Sequence, residues 1–250
     1  MRFRPDPSLS TAEMEALQRD VADAAAFADD LEFAPEEIRW TPENAREDAP
    51  VVVGVDQAFR EETAVSAVVA TRDGEVIERA TGRAPLAMPY VPGLLAFREA
   101  PAILDALDSL AMAPDLLVFD GSGRIHFRQA GIATHVGVAL DYPAIGVAKN
   151  LLCGTPAESL DTHLEEGERV PILADGSMDA PDGTVVGHAY QSRQYPNPET
   201  RHINPLYVSP GHRVSADTTV ELVAALCAGY KLPEPTRLAD AAADEIESQR

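Results

Sequence analysis

Three carboxylates occupy positions where an acid needs a partner. Asp56 lies inside the apolar run VVVGVDQAF (51–59), Asp120 ends the run DLLVFD (115–120), and Glu99 sits among apolar residues in LLAFREAPAIL. A buried acid without a partner is costly. Alone, each has an ordinary explanation, because strand-end aspartates cap turns and helix-start glutamates favour the helix dipole. Together they could converge, and convergent carboxylates repel unless they are protonated or bridged by cations such as Mg²⁺.

Basic side chains accompany these acids in the sequence. Lys149 closes the short strand AIGVAK, in a chain that has only one other lysine, Lys231. A lysine ammonium is a compact point charge that suits a phosphate. His126 follows Asp120 by six residues, and His212 precedes a helix, where it could bind phosphate, polarise a water or simply lie at the helix entry. Acids and bases of these types are consistent with phosphate displacement assisted by divalent cations.

Several other kinds of site are disfavoured by the motifs. The stretch GSGRIH (121–126) has His126 where a dinucleotide-binding fingerprint needs its third glycine, and it lacks the Gly-Lys-Ser/Thr of a phosphate-binding P-loop. No Gly-x-Ser-x-Gly elbow is present, which disfavours an acyl-transfer hydrolase. Cys153 and Cys227 form no Cys-x-x-Cys pair and are interpreted as small buried residues.

The elements that must position these residues alternate along the chain. Residues 9–31 favour a helix, with Ser10 or Thr11 as its N-cap. Three strands follow, at 51–59, 64–72 and 75–83, and Asp73-Gly74 is a hairpin turn. Then come a helix to about residue 111 with Pro101 near its start, a strand at 115–120, a helix at 128–140, a strand at 143–150, a turn-rich stretch at 154–204 with an edge hairpin, a helix from Ser215 to Gly229 and a last helix after LPEPT (232–236). This order predicts an α/β fold with a mixed sheet flanked by helices.

The charge balance points to the environment of the protein. The chain has 41 acidic against 20 basic residues, a net charge of −21. Such self-repulsion is tolerable in molar salt, where the Debye length shrinks to about 3 Å, and halophiles use net charge in this way. Acidity therefore does not exclude a nucleic-acid substrate. No apolar run approaches the ~20 residues that span a bilayer and no signal peptide opens the chain, so we expect a cytoplasmic protein without membrane contact.

Four blocks of the sequence resemble the endonuclease V family. They are GVDQAF, PYVPGLLAFRE, the long block from DLLVFDGSGRIHF to AKNLLCG, and the block from LYVSPGH to PTRLAD. The resemblance covers about residues 48–240, with order and spacing maintained. It implies a ribonuclease H-like fold, a catalytic domain at 48–250 after an N-terminal helical extension and linker at 1–47, and, with the charge balance, a halophilic archaeon as the source.

The resemblance also implies roles for individual residues. Asp56, Glu99 and Asp120 would hold Mg²⁺, with Mn²⁺ as an alternative ion. Lys149 would contact the phosphate, and His126 and His212 would assist the water or the leaving oxygen. Tyr90 would be the wedge that enters the duplex, while Gly93, Gly121 and Gly123 would line the pocket for an extruded hypoxanthine.

By the same resemblance the expected reaction is hydrolysis of the second phosphodiester bond 3′ to deoxyinosine in DNA. Inosine-containing RNA is an alternative substrate, and a catalytically silent nucleic-acid-binding protein is a further alternative. We expect a monomer. Two departures from the family pattern bear on the site: Phe127 stands where proline usually follows the histidine, and the 190–204 segment replaces a short hairpin.

Overall fold

The computed structural model describes residues 2–248 and contains a nine-stranded mixed sheet. Its strands lie in the order β3-β2-β1-β4-β5-β9-β8-β7-β6. The strands are β1 (Val51–Arg60), β2 (Thr63–Arg72), β3 (Glu75–Pro85), β4 (Leu116–Asp120), β5 (Ala144–Ala148), β6 (Thr155–Pro156), β7 (Arg169–Leu173), β8 (Val185–Tyr190) and β9 (Leu206–His212). The helices are α1 (Thr11–Ala24), α2 (Leu95–Asp108), α3 (Ile132–Leu140), α4 (Ala216–Leu226) and α5 (Glu234–Ser248). The predicted fold class is confirmed.

The first three strands form an antiparallel meander, as predicted. Asp73 and Gly74 both have positive φ, 46° and 92°, which is the backbone of a type I′ hairpin turn. The Asp73 carboxylate also accepts hydrogen bonds from Arg46, at 2.6 Å from Nε and 2.9 Å from Nη2. This ion pair anchors the linker before β1 to the hairpin.

The centre of the sheet brings strand ends together. β1, β4 and β5 run parallel, and Val55 of β1 lies opposite Phe119 of β4. The next residues, Asp56 and Asp120, therefore lie side by side at the carboxyl end of β4. β9 runs antiparallel to β5, and β8 runs antiparallel to β9. The carboxyl end of β8 therefore lies at the same end of the sheet as the carboxyl end of β5.

Helices cover both faces of the sheet and build two cores. Buried residues of α2 and α3, among them Ile103 and Val136, pack on one face against Val53 and Phe119. On the other face α4 packs on β4, β5 and β9, and α5 lies against β1 and β2. Gly54 permits the contact with α5, because a Cβ there would meet the Pro235 carbonyl oxygen at 2.0 Å.

Several helix boundaries differ from the predicted ones for local reasons. α1 begins with a capping box between Ser10 and Glu13 but ends at Ala24 rather than near residue 31. The chain turns there because Ala26 exchanges hydrogen bonds with the end of β9, donating to the His212 ring and accepting from the Arg213 amide. α3 starts at Ile132 rather than 128, since the preceding residues form a turn that ends at Gly131, its N-cap.

The remaining corrections concern prolines and helix ends. Pro101 is the seventh residue of α2, so the expectation that it lies near the helix start is wrong. α4 ends at Leu226 with Cys227 as its C-cap, three residues before Gly229. α5 begins at Glu234, inside the LPEPT stretch, because a proline is tolerated in the first turn of a helix.

The N-terminal helix packs on the sheet-covering layer. α1 lies against α3, and Met14, Gln18 and Val21 are its buried residues. Gln18 is fully buried, with 0% exposure, although it is polar. Within residues 2–248, no helix combines the length and apolar character needed to cross a membrane.

Candidate active site

The carboxylate cluster forms where β1, β4 and α5 meet. Asp56, Asp120 and Asp240 each offer an oxygen, and these oxygens all lie within 4.8 Å of one another. The three side chains are half-buried, so each is open to solvent on one side. Three anionic oxygens at this separation repel, and oxygen donors of this kind match a hard divalent cation. We call Asp56, Asp120 and Asp240 the acid cluster.

The negative charge of the acid cluster is balanced only in part, by Lys149. Burial, and then the negative charge of Asp120, raise the pKa of Asp56 to about 7. Glu99, on α2, is 5% exposed, and burial raises its pKa to about 8. The cation of Arg98 opposes this increase, while the charges of Asp56 and Asp120 add to it. Of the three acids predicted to converge, Asp56 and Asp120 lie in the acid cluster, and Glu99 is buried within electrostatic reach of them.

Asp240 is a candidate metal ligand that the sequence analysis did not identify. It lies on α5 next to Ala239, which is fully buried, and three residues before Ala243, which is 2% exposed. The amphipathic pattern of α5 could have identified it, because an acid that borders the buried face of a helix lies close to the sheet on which the helix packs. In the acid cluster it occupies the third position, where Glu99 was predicted.

Lys149 directly contacts the acid cluster. It follows β5, and its Nζ lies 2.7 Å from Asp120 Oδ2. Partial burial disfavours its charged form, but the hydrogen bond to Asp120 and the charges of Asp120, Asp240 and Asp56 raise the pKa of the Lys149 ammonium overall. About half of the side chain is exposed, 48%, so the ammonium is accessible to a phosphate that approaches the acid cluster.

A cavity of about 350 Å³ opens beside the acid cluster. It lies between the loop before α2, the turn after β4 and the start of α3. Tyr90, Gly93, Gly121, Lys149 and Asp120 all line it. Its volume falls within the range of small-molecule sites, about 300–1,000 Å³. Asp120 belongs to both the acid cluster and the cavity lining, so a group bound in the cavity would lie next to the acid cluster.

Of the predicted pocket residues, Tyr90, Gly93 and Gly121 lie on this cavity and Gly123 lies beneath it. Tyr90 is 65% exposed at the cavity mouth. Gly93 has φ +79°, and the position of its missing Cβ lies 3.0 Å from the Phe127 ring. Gly123 is buried against β9, because a Cβ there would meet the Pro210 carbonyl oxygen at 2.3 Å. Gly123 therefore fixes the turn instead of lining the cavity.

His126 is 4% exposed, and both of its ring nitrogens are used by the backbone. Nε2 lies 3.1 Å from the Gly93 carbonyl oxygen, and Nδ1 accepts a hydrogen bond from the Arg128 amide at 3.2 Å. These partners select the neutral tautomer with hydrogen on Nε2. Burial, and then the charge of Arg128, lower the pKa of His126 to about 4. The structure thus gives His126 a positioning role at the cavity wall instead of a free acid or base.

Gln18 completes the support behind the cavity. Its Nε2 donates to the Gly93 carbonyl oxygen at 2.8 Å, and its Oε1 accepts from Arg128 Nε at 2.8 Å. Arg128 also pairs with Glu15 of α1 at 3.3 Å. We call Gln18, Gly93, His126 and Arg128 the pocket network. The buried positions 14, 18 and 21 follow helical spacing, so a polar Gln18 on the buried face of α1 was a signal that sequence reasoning did not use.

His212 is not brought to the acid cluster. It pairs with Ala144 at the start of β5, whereas Lys149 follows the end of that strand. Its Nδ1 accepts from the Ala26 amide at 3.2 Å, and its Nε2 lies 3.1 Å from Asp141 Oδ1. The His212 ring therefore links β9 to the segment after α1 and to the end of α3, at the end of the sheet opposite the acid cluster. A direct role for His212 at the phosphate is not supported by this position.

The fold and the acid cluster together define the ribonuclease H-like class. A mixed sheet whose parallel centre ends in carboxylates, with helices on both faces, is the arrangement seen here. The endonuclease V family profile matches residues 35–241. The chain belongs to the endonuclease V family and is an endonuclease that acts on phosphodiester bonds.

Individual relatives agree with this family assignment. Endonuclease V of Halobacterium salinarum is 64% identical over 256 residues, covering 98% of this chain and 97% of the relative. The catalytic domain of human endonuclease V is 30% identical with a TM-score of 0.77, covering 94% of this chain and 95% of that one. Ciona intestinalis endonuclease V, in complex with a 24mer DNA containing an inosine followed by a ribo-adenosine, is 24% identical with a TM-score of 0.69, covering 95% and 98%. The predicted family is confirmed, and its similar relatives include proteins of halophilic archaea, as the charge balance led us to expect of the source.

Proposed function

We propose that the protein is a Mg²⁺-dependent DNA repair endonuclease that recognises deoxyinosine and hydrolyses the second phosphodiester bond 3′ to it. The observation that carries the proposal is that the acid cluster, in contact with Lys149, adjoins a cavity that Tyr90 also lines. Family membership supports a nuclease, and the adjoining cavity supports recognition of a base that has left the duplex.

The acid cluster fits a divalent cation by its chemistry. It offers three carboxylate oxygens within 4.8 Å of one another, and burial, followed by the negative charge of Asp120, raises the pKa of Asp56 to about 7. Asp56, Asp120 and Asp240 would hold the ion, and Glu99 would add a further oxygen. Mg²⁺ is the proposed ion, and Mn²⁺ would suit the same ligands. When bound, the cation supplies Lewis acidity and charge for water attack at phosphorus.

The side chains around the acid cluster would bind and orient the substrate. The Lys149 ammonium would bind a non-bridging oxygen of the scissile phosphate, since its charge is held beside Asp120 and half of the side chain is exposed. Fixed donors of this kind cost no reorganisation when charge develops in the transition state. Hydrolysis then leaves a 3′-hydroxyl and a 5′-phosphate on the two sides of the nick.

Base recognition would take place in the cavity beside Tyr90. The exposed Tyr90 ring lies between Pro89 and Pro92, separated from the latter by Val91, so its backbone is restrained before binding. Stacking by Tyr90 would fill the gap that an extruded base leaves in the duplex. Gly93 and Gly121, which line the cavity without side chains, would let the backbone approach the hypoxanthine edge.

The test is a nicking assay in high KCl. Purified protein with Mg²⁺ is incubated with an end-labelled duplex that carries one deoxyinosine, and with the same duplex carrying adenine. We expect one nick, at the second phosphodiester 3′ to the lesion, in the first duplex alone. Equal cutting of both duplexes, or a nick at another bond, would contradict the proposal. Asp120→Asn is the control that shows the nick belongs to this site.

Inosine-containing RNA is tested in the same assay. A single-stranded RNA of the same sequence with one inosine is compared with the DNA at equal enzyme concentration. We expect the deoxyinosine duplex to be cut with the higher kcat/KM. The reverse order would move the assignment to an endoribonuclease with the same acid cluster and cavity.

A further inference from the structure

A second exposed tyrosine packs against α5, the helix that carries Asp240. Among the large apolar side chains that the structure describes as exposed, Tyr90 (65%) and Tyr230 (56%) are the two most exposed. Tyr230 lies in the segment between α4 and α5, and the Arg237 guanidinium is 4.5 Å from its ring centroid. Arg237 precedes Asp240 by three residues on α5, so both lie on the same side of the helix, one turn apart. The Tyr230 ring therefore contacts α5 one turn before Asp240.

Lys231 follows Tyr230 and is held at the same end of the sheet as Lys149, where β5 and β8 end. Ser192, just after β8, donates a hydrogen bond from Oγ to the Lys231 carbonyl oxygen at 2.5 Å. β8 and β5 end at the same end of the sheet, and the acid cluster also lies at this end. Burial, and then the positive charge of Lys149, lower the pKa of Lys231, so the two lysines of the chain are electrostatic neighbours.

Arg193 extends this group of side chains into the 190–204 segment. It is exposed, and its Nη1 lies 3.7 Å from where a Cβ of Gly229 would stand. The backbone around it is held by side-chain amides: Gln191 Nε2 donates to the carbonyl oxygens of Arg193 and Ile203, and Gln194 Oε1 accepts from the Ile203 amide. We call Arg193, Tyr230 and Lys231 the exit surface.

The charge of the exit surface contrasts with the rest of the chain. The protein carries a net charge of −21, yet Lys231 lies within electrostatic reach of Lys149, and Arg193 lies beside Gly229, two residues before Lys231. Glu234, the acid nearest in sequence, is 3% exposed and pairs with Arg237 at 2.6 Å. Glu166 accepts a hydrogen bond from the Gln194 amide. A cationic, aromatic surface of this kind is typical of single-strand nucleic-acid contacts.

We propose that the exit surface binds the DNA strand 3′ to the scissile bond, with Tyr230 stacking on a base there. The cavity for the lesion lies on the α2 and α3 side of the sheet, and Tyr230 lies on the α4 and α5 side. The acid cluster lies between the cavity and Tyr230, at the carboxyl ends of the central strands. A strand with its lesion in the cavity and its 3′ phosphate on the acid cluster therefore continues toward Tyr230. This polarity rests on the proposed function, because it takes the cut to be 3′ to the lesion.

The experiment compares two inosine duplexes that differ only in length 3′ to the lesion. In one the lesion strand continues well past the scissile phosphate, and in the other it ends just beyond it. Affinity is measured by fluorescence anisotropy with Ca²⁺ in place of Mg²⁺. We expect Tyr230→Leu to weaken binding of the long duplex about tenfold, as for one lost base stack, and to leave the short duplex within twofold of wild type. Tyr230→Phe keeps the ring and is expected to bind both as wild type does.

Charge variants separate stacking from phosphate contacts. Arg193→Gln is expected to weaken the long duplex at low KCl, and its effect should shrink in molar KCl while that of Tyr230→Leu persists. Arg79→Gln, an exposed position on β3 at the far edge of the sheet, is the matched control with the same change of charge.

The outcomes distinguish this inference from the proposed function. Equal loss on both duplexes, or no loss with Tyr230→Leu, would overturn the exit surface while wild-type nicking at deoxyinosine stands. If the wild-type protein does not nick the inosine duplex in Mg²⁺, the proposed substrate is overturned and the polarity argument with it.

Discussion

The acid cluster and the pocket network lie on either side of one cavity, yet they are built by opposite physics. The acid cluster gathers Asp56, Asp120 and Asp240 within 4.8 Å, and the pKa of Asp56 rises to about 7 because burial and Asp120 oppose its charge. The pocket network pairs its polar groups: Gln18 meets Gly93 and Arg128, and both ring nitrogens of His126 have backbone partners. The acid cluster holds more negative charge than Lys149 balances, whereas the polar groups of the pocket network have hydrogen-bond partners before any ligand binds.

This difference separates what each region contributes to folding and to catalysis. Like charges held together reduce the free energy of unfolding and create affinity for a cation. Satisfied buried hydrogen bonds raise the free energy of unfolding and fix the cavity wall before substrate binds. Substitutions in the two regions should therefore change stability in opposite directions while both reduce cutting.

The largest expected effect is that of Asp240→Asn. Removing one anionic oxygen weakens cation binding and the stabilisation of transition-state charge, which is worth several kcal/mol. We expect the cutting rate of the inosine duplex at saturating Mg²⁺ to fall about a thousandfold, since each 1.36 kcal/mol is a factor of ten. At the same time the metal-free variant should melt higher than wild type, because a repulsive charge has gone.

Asp244→Asn is the matched control for this substitution. Asp244 lies on the same helix, is exposed, and stands outside the acid cluster. It should cut and melt like wild type. A metal-free Asp240→Asn that melts lower than this control would contradict the view that the acid cluster is strained.

The pocket network should respond to Gln18→Met in the opposite way. Methionine has a similar volume but removes the amide that donates to the Gly93 carbonyl and accepts from Arg128 Nε, so this buried Nε–H loses its acceptor. We expect the free energy of unfolding to fall by about 2–3 kcal/mol. KM for the inosine duplex should rise about fivefold through lost preorganisation, with a smaller change in kcat. Chemical denaturation and steady-state nicking measure the two effects.

Arg19→Met is the control on the neighbouring position of α1. Arg19 pairs with Asp179 at 2.9 Å, but both side chains are about half exposed, so the loss should stay within about 1 kcal/mol. If Gln18→Met lowered kcat alone and left KM unchanged, the pocket network would not act through substrate binding.

The acid cluster was largely readable from sequence, whereas the pocket network was not. Asp56 and Asp120 interrupt or end apolar runs, and parallel strands place such residues side by side through short-range register. Asp240 escaped because it is brought to the same edge by α5, and the position of a helix over a sheet depends on contacts such as Gly54 with Pro235. Sequence periodicity gives the face of a helix but not its placement.

The pocket network depends on contacts between residues far apart in the chain. Gln18 meets Gly93 across 75 positions, and no local pattern encodes that partner. Phe127, the departure from the family pattern, supports Gly93 by filling the space next to it. The family resemblance implied roles for His126 and His212 at the water or the leaving oxygen, but in this fold both rings are buried and hydrogen-bonded to other parts of the protein.

The smallest expected effect is a pH dependence of stability in the metal-free protein. Burial raises the pKa of Asp56 to about 7 and that of Glu99 to about 8, above the usual range near 4. Between the unfolded-state pKa near 4 and these folded-state pKa values, the folded state binds more protons than the unfolded state. The free energy of unfolding therefore falls as the pH rises through the folded-state pKa values. Allowing for screening at the partly exposed Asp56, we expect a loss of about 1–2 kcal/mol, or roughly 4 °C in Tm, between about pH 5 and pH 9.

Saturating Mg²⁺ should remove this slope, because a cation that binds the ionised acids stabilises the folded state most where they are deprotonated. Glu99→Gln should flatten the metal-free slope, since the amide cannot ionise, while Asp244→Asn should keep it. Thermal melts of the three proteins with EDTA or with Mg²⁺ measure the effect. Metal-free wild type that melts higher at the alkaline end would show that the acids are stabilised as anions by the protein itself, and the contrast between the acid cluster and the pocket network would then fail.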